Sequence, residues 1–251
     1  MKSVVIIPAR LNSSRLPNKV LLDLGGKSVV QRVYEQACKA KKIDAVYIAT
    51  DSQEVQEHCQ SFSDNVIMTD TAHESGTDRI AQAVESLDAD IVINVQGDEP
   101  FMEPRLIDAL VEAFRDGVEM VSAMHQLELV EELKNPNVVK VTIDKNSDAL
   151  YFSRSIIPHH RDDWESLINH HTTIPHPLKF YRHLGIYGYK REFLVEYSQM
   201  TPTYLERLEK LEQLRVLENG YRIKMVETAY QSIGIDTLED YTKALEMINE
   251  K

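Results

Sequence analysis

The 251-residue chain predicts an α/β fold built on a mostly parallel sheet. Three observations carry that prediction. Short apolar runs alternate with amphipathic helical segments through the amino-terminal third, the β-α-β-α-β order of a parallel sheet with right-handed crossovers. Those runs are continuous rather than alternating, as in strands covered on both faces. The apolar content of 43% is enough for a sizeable core at this length. No repeat, low-complexity tract or flexible linker interrupts the chain, so a single domain is expected over 1–251. Its subregions are a core over 1–125, a region of different character over 126–200, and a closing segment over 201–251.

Composition narrows the function classes. A net charge of −12 argues against non-specific nucleic-acid binding, which needs a basic surface. The longest apolar runs are too short to cross a bilayer, and the amino terminus lacks a signal-peptide layout. A soluble cytoplasmic protein is expected, with neither a membrane nor a nucleic acid as partner. Cys38 and Cys59 fall in predicted helices without metal-ligand spacing, which fits buried thiols in a reducing compartment.

In chain order, residues 3–7 form the first predicted strand, closed by Pro8. The loop from Ala9 to Lys19 follows, with Arg10, Ser13, Ser14, Arg15 and Lys19. Arginine forks, hydroxyls and a lysine point charge suit a polyphosphate. The loop is not the glycine-rich P-loop, since no Gly-Lys-Ser/Thr ending is present. A helix is predicted over 28–41, a strand over 45–50, a helix capped by Asp51, and a short strand over 65–68. Ser75 or Thr77 is set to cap a helix starting near Asp78. Arg79 in its first turn opposes the helix dipole, which favours a functional reason for it.

The run Ile91-Val92-Ile93 reads as a buried central strand, and Asn94-Val95-Gln96-Gly97-Asp98-Glu99 follows it. In open α/β sheets ligands bind beyond the carboxyl ends of the strands. Asp98 there suits a Mg²⁺ at a nucleotide triphosphate, and it equally suits a helix N-cap. A helix over 104–115 and a strand over 118–124 come next.

The second half reads differently. Strands over 138–144 and 149–154 form a hairpin around Lys145-Asn146-Ser147-Asp148. Residues 159–177 are expected to be an irregular loop, with His159, His160, His170 and His171 lacking a metal pattern. The strand 179–189 carries His183 and Tyr187 on one face, suited either to a polyhydroxylated ligand or to an ordinary amphipathic role. A helix over 204–218 has leucine at every third position, and Glu209, Glu212 and Gln213 on its surface default to a solvated face. A strand over 223–226 precedes the last helix, 238–250. Asp236 before it is either the N-cap or a second metal carboxylate; Thr237 could serve as the cap instead.

Assembled, Ile7 to Lys19, Ser75 to Arg79, Asn94 to Pro100, Ala149 to Arg154, Arg182 to Tyr189, Glu209 to Leu217 and Gly234 to Asp240 resemble the 3-deoxy-manno-octulosonate cytidylyltransferase family, in order and nearly end to end. The resemblance implies a Rossmann-like nucleotidyltransferase sheet with an inserted β-rich dimerisation and sugar-binding region. It implies CTP and 3-deoxy-manno-octulosonate (Kdo) as substrates, Mg²⁺ as cofactor, a homodimer, and a place in lipopolysaccharide synthesis. Carried over by position, Ala9, Arg10, Ser14, Arg15, Lys19, Ser75, Gly76, Thr77, Arg79 and Gln96 would hold the nucleotide. Asp98 and Asp236 would ligate the metal and, with Arg15 and Lys19, form the catalytic set. Gln96, Arg154, Arg161, His183, Tyr187, Glu212 and Gln213 would line the sugar pocket. The chain departs from the family at His159-His160, where members often carry Trp-Asp, and at Val20 and Ser28, which are often proline. Two other readings remain: the same reaction with 8-amino-Kdo or another sugar acid, and a nucleotide-binding module without turnover. No general base is identifiable.

Overall fold

The computed structural model describes residues 1–249 except 12, 14, 74, 116 and 232. Its strands are β1 Ser3–Pro8, β2 Ala45–Thr50, β3 Val66–Met68, β4 Ile91–Asn94, β5 Met120–Gln126, β6 Lys140–Ile143, β7 Ala149–Ser153, β8 Tyr181–Lys190 and β9 Ile223–Glu227. The helices are α1 Val29–Ala37, α2 Gln53–Gln60, α3 Gly76–Glu85, α4 Pro104–Ala113, α5 Val130–Lys134, α6 Trp164–His170, α7 Arg191–Gln199, α8 Tyr204–Glu209, α9 Leu214–Glu218 and α10 Leu238–Asn249. The chain forms two compact units.

The first unit comprises Met1–Glu112, Ile186–Ser198 and Gln231–Lys251. Four parallel strands lie in the order β3-β2-β1-β4, and the 186–190 part of β8 runs antiparallel to β4. Val4 to Ile7 and Ile91 to Ile93 are fully buried or nearly so, as their unbroken apolar runs require. Ser28 caps α1 and Ser75 caps α3. Ser52, not Asp51, caps α2: its hydroxyl accepts from Val55 N at 3.4 Å. Tyr197 of α7 stacks on Tyr189 of β8 and on Phe193 of its own helix.

The second unit comprises Ala113–Gly185 and Gln199–Tyr230. Here β5 pairs in parallel with β9, while β6 pairs antiparallel with both β7 and residues 181–182 of β8. A separate core gathers Leu127, Val130, Leu133, Val138, Leu167 and Phe180.

Several expectations change. The 159–177 loop contains α6, whose Leu167 is buried in that core. Helices α5 and α7 had no sequence signal strong enough to be read. The predicted helix 204–218 is two short helices, broken where Lys210 takes a left-handed conformation (φ 55°). Leucines at every third position drift about 60° per step around a helix, so five of them cannot share one face. Leu208 is accordingly exposed, and Leu211 and Leu214 are buried. Cys59 is buried, but Cys38 is exposed just past the end of α1.

Candidate active site

Three backbone relations in the first unit gather charged side chains at the carboxyl end of β1. Ala9 N donates to Ala49 O at 2.8 Å, which sets the loop leaving β1. A Cβ on Gly97 would meet Pro8 O at 2.7 Å, so the turn after β4 passes against β1 only because residue 97 is glycine. Ile235 N donates to Asp98 O at 2.8 Å and brings residue 236 to the same place. The Thr237 hydroxyl accepts from Asp240 N at 3.2 Å and thus caps α10, so Asp236 is not used as the cap.

Lys19 joins the two carboxylates. Its ammonium donates to Asp98 Oδ2 in a short hydrogen bond and to Asp236 Oδ1 at 2.9 Å. Arg15 Nη2 donates to Asp236 Oδ2 at 2.9 Å. Burial works to lower the Lys19 pKa, but Asp98 and Asp236 outweigh it, and the pKa is raised. The lysine therefore stays cationic at neutral pH. Two carboxylates facing one cationic head form a donor set suited to a divalent ion. Among the described residues no group of three or more His, Cys, Asp or Glu is arranged to hold a metal ion, so a Mg²⁺ here would take its other ligands from phosphate and water, its usual habit.

Beside this group is a cavity of about 190 Å³ lined by Pro8, Arg10, His73, Ser75, Gly76, Arg79 and Gln96. Its floor is fixed by a reciprocal cap: Ser75 Oγ accepts from Asp78 N at 3.0 Å, and Asp78 Oδ2 accepts from Ser75 N at 3.2 Å. Arg79 is buried, pairs with Asp51 Oδ2 at 2.7 Å and donates to Thr69 Oγ1. The charge that opposes the helix dipole is thus balanced inside the protein, and Asp51 has this partner rather than a capping role. Thr77 is buried, Arg10 is exposed, and Ser14 lies outside the described residues. Tyr187, also in the first unit, pairs across the sheet with Asn94.

In the second unit, His183 is buried with both ring nitrogens engaged. Ser122 Oγ is 2.9 Å from Nε2, Gln213 Nε2 is 3.4 Å from Nδ1, and the Phe152 ring stands edge-on at 4.8 Å. Burial, reinforced by the charge of Arg182, pushes the pKa down to about 3, so the imidazole is neutral. His183 and Gln213, predicted together, are therefore in contact. Arg154 differs from a free carboxylate fork: its Nε donates to Glu209 O at 2.8 Å, Nη1 to Pro136 O at 3.2 Å and Nη2 to Lys210 O at 3.4 Å. Glu209, read from sequence as a solvated residue, accepts from Ser153 Oγ at 2.6 Å and Arg154 N at 3.0 Å. Arg161 is exposed, and Glu212 lies 4.0 Å from Arg215. Sequence reasoning missed Ser122 and Lys140 and gave Asp51 and Glu209 other roles than the structure does. The one available signal was a lone lysine, Lys140, inside the apolar run Val138 to Val141.

Comparison with known proteins bears on this arrangement. A family model described as cytidylyltransferase matches residues 4–225. The 3-deoxy-manno-octulosonate cytidylyltransferase of Geotalea uraniireducens is 46% identical, over 100% of both chains. That of Geobacter metallireducens is also 46% identical, over 99% of this chain and 98% of its own. Among solved structures, CMP:2-keto-3-deoxy-manno-octonic acid synthetase complexed with CTP superposes with a TM-score of 0.91 at 38% identity, covering 100% of this chain and 99% of the other.

Proposed function

The chain belongs to the 3-deoxy-manno-octulosonate cytidylyltransferase family, and on that premise we propose that it transfers CMP from CTP to Kdo, releasing pyrophosphate. The observation that carries the reading is the convergence of Lys19, Arg15, Asp98 and Asp236 at the strand ends of the first unit. A nucleotidyl transfer needs cations at the phosphates and carboxylates for a metal, and this group supplies both.

In the proposed reaction the anomeric hydroxyl of Kdo attacks the α-phosphorus of CTP and pyrophosphate leaves. Arg10, Arg15 and Lys19 hold the triphosphate and offset the charge that grows on its oxygens. Ser75, Gly76 and Gln96 line the cavity assigned to the nucleoside. Asp98 and Asp236 would hold Mg²⁺. When bound, that ion supplies Lewis-acid stabilisation of the phosphoryl oxygens. For the sugar acid we assign Gln213, held against the His183 ring, with Glu212, as polar groups. Neither cysteine is assigned a role, and no covalent intermediate is required.

The wider setting follows the same reading: a homodimer acting in lipopolysaccharide synthesis in the cytoplasm. No helix among the described residues is long and apolar enough to cross a membrane. Leu150, Tyr204 and Leu208 are 62%, 73% and 66% exposed on β7 and α8, and these are the apolar side chains assigned to contact with a second copy.

The test is pyrophosphate release with Mg²⁺, CTP and either Kdo or 8-amino-Kdo, for the wild type and Asp98→Asn. Release with Kdo, falling about a hundredfold or more in the variant, is expected if Asp98 stabilises the reacting phosphate. No release with either sugar acid, from folded protein that binds CTP, would leave a nucleotide-binding module.

A further inference from the structure

Lys140 is fully buried, an unusual place for a lysine. Its ammonium donates to Asn135 O at 3.0 Å, Val138 O at 2.6 Å and Arg154 O at 2.7 Å. An ammonium has three donors, so all three are used, and each goes to a backbone carbonyl rather than to a counter-charge. Those carbonyls belong to two segments that meet where Lys140 pairs with Ser153 across β6 and β7 and where Arg154 Nη1 donates to Pro136 O, and the ammonium adds three bonds at the buried side of that junction.

The first segment, 135–139, leads into β6. Val139 O accepts the backbone N–H of His183 at 2.8 Å. The second segment begins at Arg154, just past β7. Arg154 N and Ser153 Oγ both donate to the Glu209 carboxylate, and Arg154 Nε donates to Glu209 O. Glu209 ends α8, and after the left-handed turn at Lys210 the chain delivers Gln213 to the His183 ring. One side of the ammonium thus fixes the backbone that carries His183. The other side fixes the helix end that carries Gln213.

We infer that Lys140 is a positioning residue for the sugar-acid pocket, setting the relation of His183 to Gln213 from beneath without touching the substrate. The inference rests on the proposal that Gln213 meets the sugar acid. A side chain needed only to fill the core would be aliphatic. Lys140 instead has three convergent donors that lock the junction of the two segments beyond what strand pairing provides. Misplacement of a binding group by about 1 Å costs up to about a hundredfold in an enzyme, so small slippage of Gln213 has a large readout.

The test is Lys140→Met, which keeps the volume and removes the donors. KM for Kdo and for CTP are measured separately by pyrophosphate release, together with the imidazole ¹⁵N shifts of His183, assigned through His183→Gln. The Kdo KM is expected to rise about tenfold or more while the CTP KM stays within about twofold, and the His183 resonances move. Equal changes in both KM values, or unmoved His183 resonances, would overturn the inference. If Lys140→Met does not fold, Ser153→Ala loosens Glu209 in the same linkage and must give the same split; an unchanged Kdo KM there overturns it. If the wild type itself releases no pyrophosphate, the proposed function fails, and the His183 shifts still decide the linkage.

Discussion

A histidine that is buried, and whose ring nitrogens both meet neutral partners, gains nothing from a proton. His183 is in that position, with its pKa pushed down to about 3. In the unfolded chain it would titrate near about 6.5. Between those values the unfolded state binds a proton that the native state refuses, so this contribution to stability is intact above pH ~6.5 and is lost as pH falls towards ~3. The slope approaches about 1.4 kcal/mol per pH unit. Urea unfolding at pH 7 and pH 5 should therefore show the wild type losing about 2 kcal/mol more than His183→Gln between the two conditions. Equal losses would mean that the native imidazole takes up its proton normally. Lys19 shows the opposite balance: its two carboxylate partners outweigh burial and keep it charged.

At the scale of elements, the α8–α9 break is the feature on which the second unit's polar cluster depends. Glu206 on α8 reaches Arg215 on α9 with two oxygens, so a buried ion pair spans the break. Lys210 sits between them at φ 55°, ψ 49°, a conformation that strains any residue with a Cβ. Lys210→Gly would relieve about 1–2 kcal/mol of that strain and lose about 0.5–1 kcal/mol to the greater freedom of glycine when unfolded. A net gain of up to about 1.5 kcal/mol in urea unfolding is expected. A clear loss would show that the lysine side chain holds the turn by contacts of its own. The break also explains why a leucine at every third position failed as a helix signal. The spacing fits neither a single face nor the two faces that α8 and α9 present.

At the scale of the whole molecule, the first unit is assembled from three stretches of chain and the second from two. The chain therefore completes its amino-terminal sheet only when β8 returns to pair with β4, and completes the unit only when residues 231–251 rejoin it. The proposed homodimer predicts a solution mass twice that of the chain by sedimentation equilibrium. Leu208→Asp, which puts a charge on the 66% exposed leucine of α8, should shift the mass towards that of one chain. A wild-type mass of one chain at high concentration would remove the dimer from the proposal.

The sequence by itself determined the parallel α/β core, because continuous apolar runs and capped amphipathic helices are local signals with a period. It also placed Arg15, Lys19, Asp98 and Asp236 as candidates, because each follows or precedes a strand or helix whose end is legible in the residues. The end-to-end resemblance supplied the family. Tertiary structure decided what the charges do. Arg79 is balanced by Asp51, 28 residues away, and Arg154 is tied to carbonyls of 136, 209 and 210. The contact of His183 with Gln213 spans 30 residues. No periodicity encodes such pairings: a polar side chain looks the same in the sequence whether it meets water or a buried carbonyl. Lys140 makes the point most sharply, since only the folded backbone brings three carbonyls to its ammonium.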